Sequence, residues 1–201
     1  AECQEKIDID FERAVKSMVI APNQEISYYE TAIKYLDLYK GEPECIKNKA
    51  KAYYHLGLIY DEEGNTEEAL QHYFKARELD KELAPVYTKV GDLFFSKEEY
   101  EVAIAFYKTV KHDFKIKPCI KKLIEKNPEN PKIMMRVAEY FSSIELNEKA
   151  IKYYQYAQSL AQDDQMKSEA LTAIGHILKK DQAKQGDEYI KNAAEHNYFN
   201  Y

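Results

Sequence analysis

Gly57 and Gly91, Ala69 and Ala103, and Tyr73 and Tyr107 each stand 34 residues apart. Three residue types returning at one period constrain a chain more tightly than composition does. A period of about 34 residues belongs to two-helix repeats. One such unit cannot bury its own apolar face, so it has to stack on a neighbour. The expected fold is all-α, a solenoid of antiparallel helix pairs with about eleven helices and no strands.

The clearest unit is 50–83, AKAYYHLGLIYDEEGNTEEALQHYFKARELDKEL. Its apolar residues fall at three-and-four spacing on both sides of Gly64-Asn65-Thr66. Gly64 is suited to end the first helix in a left-handed conformation, and Thr66 is placed to cap the second. The second unit, 84–117, repeats the pattern, with Pro85 in a first helical turn where a missing N–H costs nothing. From Ala103 the next matching alanine is Ala150, a spacing of 47 that leaves about 13 residues inserted. Within the insertion, 118–127 reads as a short helix started by Pro118 and stopped at Asn127-Pro128. A third unit follows at 131–164. A degenerate fourth covers 168–196, in which Gly175, Gly186, Ile190 and Ala193 take the repeat positions. Upstream, Ala32, Leu36 and Tyr39 precede Ala69, Tyr73 and Ala76 by 37, so divergent helices are expected over 4–40. The chain is read as a single array of 201 residues closing on an aromatic tail, 197–201.

The net charge is −6, from 29 basic and 35 acidic residues. That balance disfavours nonspecific nucleic-acid binding, which needs clustered Lys and Arg against phosphates. No apolar run approaches the roughly 18 residues of a membrane span. Cys3, Cys45 and Cys119 form no C-x-x-C pair. Three cysteines leave one unpaired in a monomer, which favours a reducing compartment and a cytoplasmic location. A signal or lipidated segment ahead of Ala1 would instead place the protein at the cell envelope.

The stretch HLGLIYDEEGNTEEALQHYFKARELD resembles the tetratricopeptide repeat (TPR). The resemblance is strong over 50–117, good over 131–164 and weak at both ends. It gives the conserved-size positions physical roles. Gly57, Gly91 and Ala138 are small where two helices of a unit cross. Ala69, Ala103 and Ala150 are small where the second helix meets that crossing. Tyr60, Phe94 and Phe141 fill the wider gap beside them, with Tyr73, Tyr107 and Tyr154 as further packing residues. The resemblance implies a right-handed superhelix whose first helices line a concave face that binds peptides, tails or helices of other proteins.

First-helix residues not spent on packing are then the partner-binding candidates. They are Lys51, Tyr54, His55, Leu58 and Asp61 in the first unit, Thr88, Lys89, Asp92 and Phe95 in the second, and Lys132, Met135, Arg136 and Glu139 in the third. The expected groove is anchored by Tyr54, Leu58, Phe95, Met135 and Arg136; the competing reading of each is an ordinary solvated helix face. A TPR subfamily that clamps C-terminal carboxylates has Lys and Arg where Lys132 and Arg136 stand. Tyr54, Leu58 and Lys89 depart from the rest of its pattern, which puts that mode in doubt.

No Gly-rich phosphate loop, nucleophile elbow or metal-ligand spacing is present, so no catalytic residue, cofactor or metal is expected. Two functions remain. One is a non-enzymatic interaction module, a scaffold or adaptor. The other is a self-assembling structural subunit, with Tyr198, Phe199 and Tyr201 of the tail packing into a second copy; the competing reading of the tail is that it covers the open end of its own array.

Overall fold

The computed structural model describes residues 26–37, 43–179 and 183–198. The part of the expected divergent helices that precedes Ile26, together with Cys3, Tyr39 and the side chains of the 197–201 tail, lies outside the described residues. Among those described there are ten helices and no strand. They are α1 (Ile26–Leu36), α2 (Pro43–Glu62), α3 (Thr66–Leu79), α4 (Ala84–Ser96), α5 (Tyr100–Thr109), α6 (Asp113–Lys126), α7 (Pro131–Ser143), α8 (Asn147–Leu160), α9 (Asp164–Lys179) and α10 (Ala183–Tyr198). The chain groups into two compact units, divided after Cys119 inside α6.

Four of the helices, α2, α4, α5 and α7, end where the backbone turns left-handed, whereas α3 and α8 run out into extended residues at Asp80 and Ala161. Gly64 has φ +80°, and Glu98, Lys111 and Glu145 have φ of 61°, 54° and 59°. At each of these turns the next amide reaches back five residues: Asn65 N to Tyr60 O at 2.8 Å, Glu99 N to Phe94 O at 2.9 Å, His112 N to Tyr107 O at 3.0 Å, and Leu146 N to Phe141 O at 2.9 Å. This closure satisfies carbonyls that the helix end would leave orphaned. Glycine takes the left-handed position once; in the other three a side chain is held there against its preference.

In the first unit α2 packs on α1 and α3, α3 on α4, and α4 on α5. One core joins Tyr29 and Ile33 of α1 to Ala52 and Leu56 of α2. A second joins Ala69, Tyr73 and Ala76 of α3 to Val86, Val90 and Leu93 of α4. Apolar side chains of this size contribute about 1.5–3 kcal/mol each when fully buried. In the second unit Ala138, Ala150 and Tyr154 meet Ala170, Ile174 and Ile177, joining α7, α8 and α9.

The helix crossings are close. A Cβ on Gly57 would lie 2.5 Å from the Tyr73 ring, and one on Gly91 would lie 2.5 Å from the Tyr107 ring. Each tyrosine ring covers the glycine sixteen residues before it. In α9 and α10 the same arrangement is built from Ile190, whose Cγ1 would be 2.6 Å from a Cβ on Gly175.

Three local expectations are corrected. Thr66 does not cap α3: Asn65 holds the N-cap position, and its side chain makes no capping bond. The extra helix starts at Asp113, not Pro118, because α5 stops at Thr109 and the Lys111 turn releases the chain early. Pro118 sits inside the helix, where its lost amide concerns only the Phe114 carbonyl. The first helix of the 50–83 unit begins at Pro43, two turns upstream of Ala50, and the added turns bury Cys45 and Asn48.

Candidate protein-interaction surface

Each first helix turns one stripe into its core and leaves the adjoining positions half-covered. In α2, Leu56 and Gly57 are buried, Tyr54, His55, Leu58 and Asp61 are half-buried, and Lys51 is exposed. Tyr54 and Leu58 lean on the α3–α4 core, and Tyr54 meets the Tyr73 ring at 5.9 Å between centroids. Burial raises the Tyr54 pKa, so its hydroxyl stays protonated. Tyr54 and Leu58 therefore give a fixed apolar ledge with accessible edges.

The carboxylates on this face are already engaged. Lys89 of α4 reaches Asp61 of α2 at 3.6 Å, and the Tyr73 hydroxyl donates to Asp61 at 3.5 Å. Asp92 accepts from the Tyr107 hydroxyl at 2.6 Å and from both approaches of Lys115 Nζ, at 2.6 and 2.8 Å. Burial, and then the bond to Asp92, push the Tyr107 pKa up, which keeps that hydroxyl a donor. Asp92, a candidate for partner binding, is thus occupied by its own chain, as is Lys89. Phe95 meets Tyr100 edge-on at 5.4 Å. Of the first-unit candidates, Lys51 is the exposed charge, and Tyr54 and Leu58 are the accessible apolar groups.

In α7, Met135 is half-buried against the second unit's core, while Lys132, Arg136 and Glu139 are exposed. Asn130 positions the start of this helix: its side chain accepts from Lys132 N and Ile133 N. Glu139 lies close enough to Tyr154 to add to the rise that burial gives the Tyr154 pKa.

The packing candidates divide into two kinds. Ala69, Ala103, Ala138, Ala150, Tyr73, Tyr107 and Tyr154 are buried. Tyr60, Phe94 and Phe141 are only half-buried, because each stacks face to face on a ring of its own unit's second helix. The pairs are Tyr60–His72 (5.1 Å, 4°), Phe94–Phe106 (5.7 Å, 9°) and Phe141–Tyr153 (5.4 Å, 11°). Apolar periodicity does not announce this recurring stack, although His72, Phe106 and Tyr153 keep the 34 and 47 spacings.

The buried Cys119 thiol is held in its protonated, weakly nucleophilic form. Burial pushes Cys119 up to about 11. Among the described residues no group of three His, Cys, Asp or Glu side chains is arranged to hold a metal. No helix among them is long and apolar enough to cross a membrane.

The tetratricopeptide repeat family model matches residues 50–83, the span from mid-α2 through the Gly64 turn to the end of α3. The match covers one repeat of the chain, and TPRs as a class are protein-interaction repeats. No curated protein sequence matches the chain. Among solved structures it is similar to MamA, at 21% identity over 86% of this chain and 90% of that one, with a TM-score of 0.39. It is also similar to MamA 41-end from Desulfovibrio magneticus RS-1, at 16% identity, 97% of each chain and a TM-score of 0.39. A third is BtubC (BKLC) from P. vanneervenii, at 14% identity, 98% and 92% coverage and a TM-score of 0.38. At such values these likenesses add no argument about what the chain binds.

Proposed function

We propose that this chain is a non-enzymatic scaffold or adaptor that takes up a peptide, tail or helix of another protein on its first-helix faces. The observation that carries the reading is the TPR at 50–83, whose first helix presents Tyr54 and Leu58 as an apolar ledge beside the exposed Lys51. In α7 the repeat spacing puts Met135 at the Tyr54 position and Lys132 at the Lys51 position, with Arg136 in place of His55 and the exposed Glu139 in place of Leu58. A ledge of half-covered aromatic and aliphatic groups flanked by cations suits a segment carrying apolar anchors and a carboxylate. Because Asp61 and Asp92 already hold Lys89 and Lys115, they add little repulsion toward an acidic segment.

The test is a thermal-shift screen of the full chain against a synthetic peptide library spanning extended, helical and C-terminal carboxylate segments. Binding to the folded state raises the melting temperature with ligand concentration. A peptide that stabilises the parent but not Tyr54→Ala or Leu58→Ala supports the reading. Stabilisation undiminished in both variants places binding elsewhere and overturns it.

A further inference from the structure

His72 occupies a position that is aromatic in the other two stacks. Where the second and third repeats have Phe106 and Tyr153, the first has an imidazole lying parallel to Tyr60 and also stacked on Tyr53 at 6.0 Å. A second imidazole, His55, sits in the same region. It lies parallel to Tyr29 of α1 at 5.2 Å and edge-on to Tyr54 at 5.5 Å. The Nδ1 of His55 and the Nδ1 of His72 are both buried without a hydrogen-bond partner. A neutral imidazole tolerates this, since a bare ring nitrogen is a weakly demanding acceptor. A proton on that nitrogen creates a buried donor with nothing to receive it.

We propose that the seam joining α1, α2 and α3 is an acid-sensitive latch, in which protonation of His55 and His72 loosens α1 from the first repeat while the stacks built on Phe106 and Tyr153 do not respond.

The groups facing the two rings set the sign. From α1 come Tyr29 against His55 and Glu30 toward His72. From α2 come Tyr53, Tyr54 and Tyr60, with Lys49 over the Tyr53 ring at 5.9 Å. From α3 comes Lys75, over the Tyr53 ring at 5.5 Å. A tyrosine face attracts a cation, and Glu30 also favours the charged ring. Glu30 is exposed, however, and screened. The face of Tyr53 is already shared with two lysines. Burial lowers the pKa of both histidines, and Lys75 lowers His72 further against the pull of Glu30. The unfolded chain therefore takes up protons first as pH falls. Stability is complete above the unfolded histidine pKa of about 6.5 and is lost as pH drops from there through the depressed native values.

Hydrogen exchange of the full chain tests this, with protection corrected for intrinsic rates at about pH 7.5 and about pH 5, on either side of the ordinary histidine range. Protection of Ile26–Leu36 and Thr66–Leu79 is expected to fall at the lower pH, and that of Asn147–Leu160 to hold. The His55→Phe/His72→Phe chain should keep α1 protected at both pH values. Equal protection of α1 at both pH values in the parent, or the same loss in the double variant, overturns the latch. Should the double variant not fold, imidazole titration of the parent by NMR decides. Both midpoints below about 6.5 support the latch, and either one at or above it rejects it.

Discussion

Two opposing effects meet at Gly91. Alanine is preferred over glycine inside a helix by about 1 kcal/mol. A methyl group here would lie 2.5 Å from Tyr107 Cε1 and 2.8 Å from Cδ1. The ring has little room to move: it is 2% exposed, and its hydroxyl is held by Asp92 at 2.6 Å. The steric term should therefore win. Gly91→Ala is expected to destabilise by about 1–3 kcal/mol despite better helix propensity, and Gly91→Leu by more. Denaturant unfolding gives the difference. A Gly91→Ala chain as stable as the parent would mean that the tyrosine can swing aside. The glycine–tyrosine relation was only half legible in the sequence. The spacing marked both residues as packing positions, but it placed the repeat alanines, rather than the ring, against the glycine.

At the level of the element, the turns carry strain that the first repeat avoids. Gly64 takes its left-handed φ freely, whereas Glu145 is held at φ 59° with its side chain in solvent. A side chain in that conformation costs about 1–2 kcal/mol, and glycine's extra unfolded-state entropy returns part of that. Glu145→Gly is expected to stabilise by about 0.5–1 kcal/mol, read as a higher melting temperature. A lower one would show that the Phe141–Leu146 closure does not depend on that dihedral. Helix identity was readable because apolar spacing and breakers agree over most of the chain. Helix starts were less so. Pro118 reads as a first-turn residue, but whether α6 starts there or at Asp113 depends on the Lys111 turn, and no residue preference marks that turn. The upstream extension of α2 to Pro43 had no period to announce it, because no other repeat has it.

For the molecule as a whole, sequence and structure divide the labour over function. The period and the TPR resemblance fixed which helices are first and second in each pair. They identified the exposed Lys51, Lys132, Arg136 and Glu139 and the half-covered Tyr54, Leu58 and Met135 as surface positions of first helices. They did not reveal that Lys89 and Asp92 bond within the chain, because the partners Asp61 and Lys115 are 28 and 23 residues away and neither spacing is the repeat period. Anchors that dominate an interface are mostly large aromatics and Arg, each worth about 1–3 kcal/mol or more on truncation. With a peptide ligand in hand, Tyr54→Ala and Arg136→Ala should each be measured by calorimetry, alongside circular dichroism to show that the fold persists. One or both should weaken binding by about 1–3 kcal/mol. Gln71→Ala and Lys152→Ala, exposed positions on second helices, should leave it within about 0.5 kcal/mol. Asp92→Ala should act differently, lowering stability by freeing Lys115 and the Tyr107 hydroxyl rather than by removing a ligand contact. Tight binding kept in the first-helix variants and lost in Gln71→Ala or Lys152→Ala would move the site to the opposite helices and end the first-helix assignment.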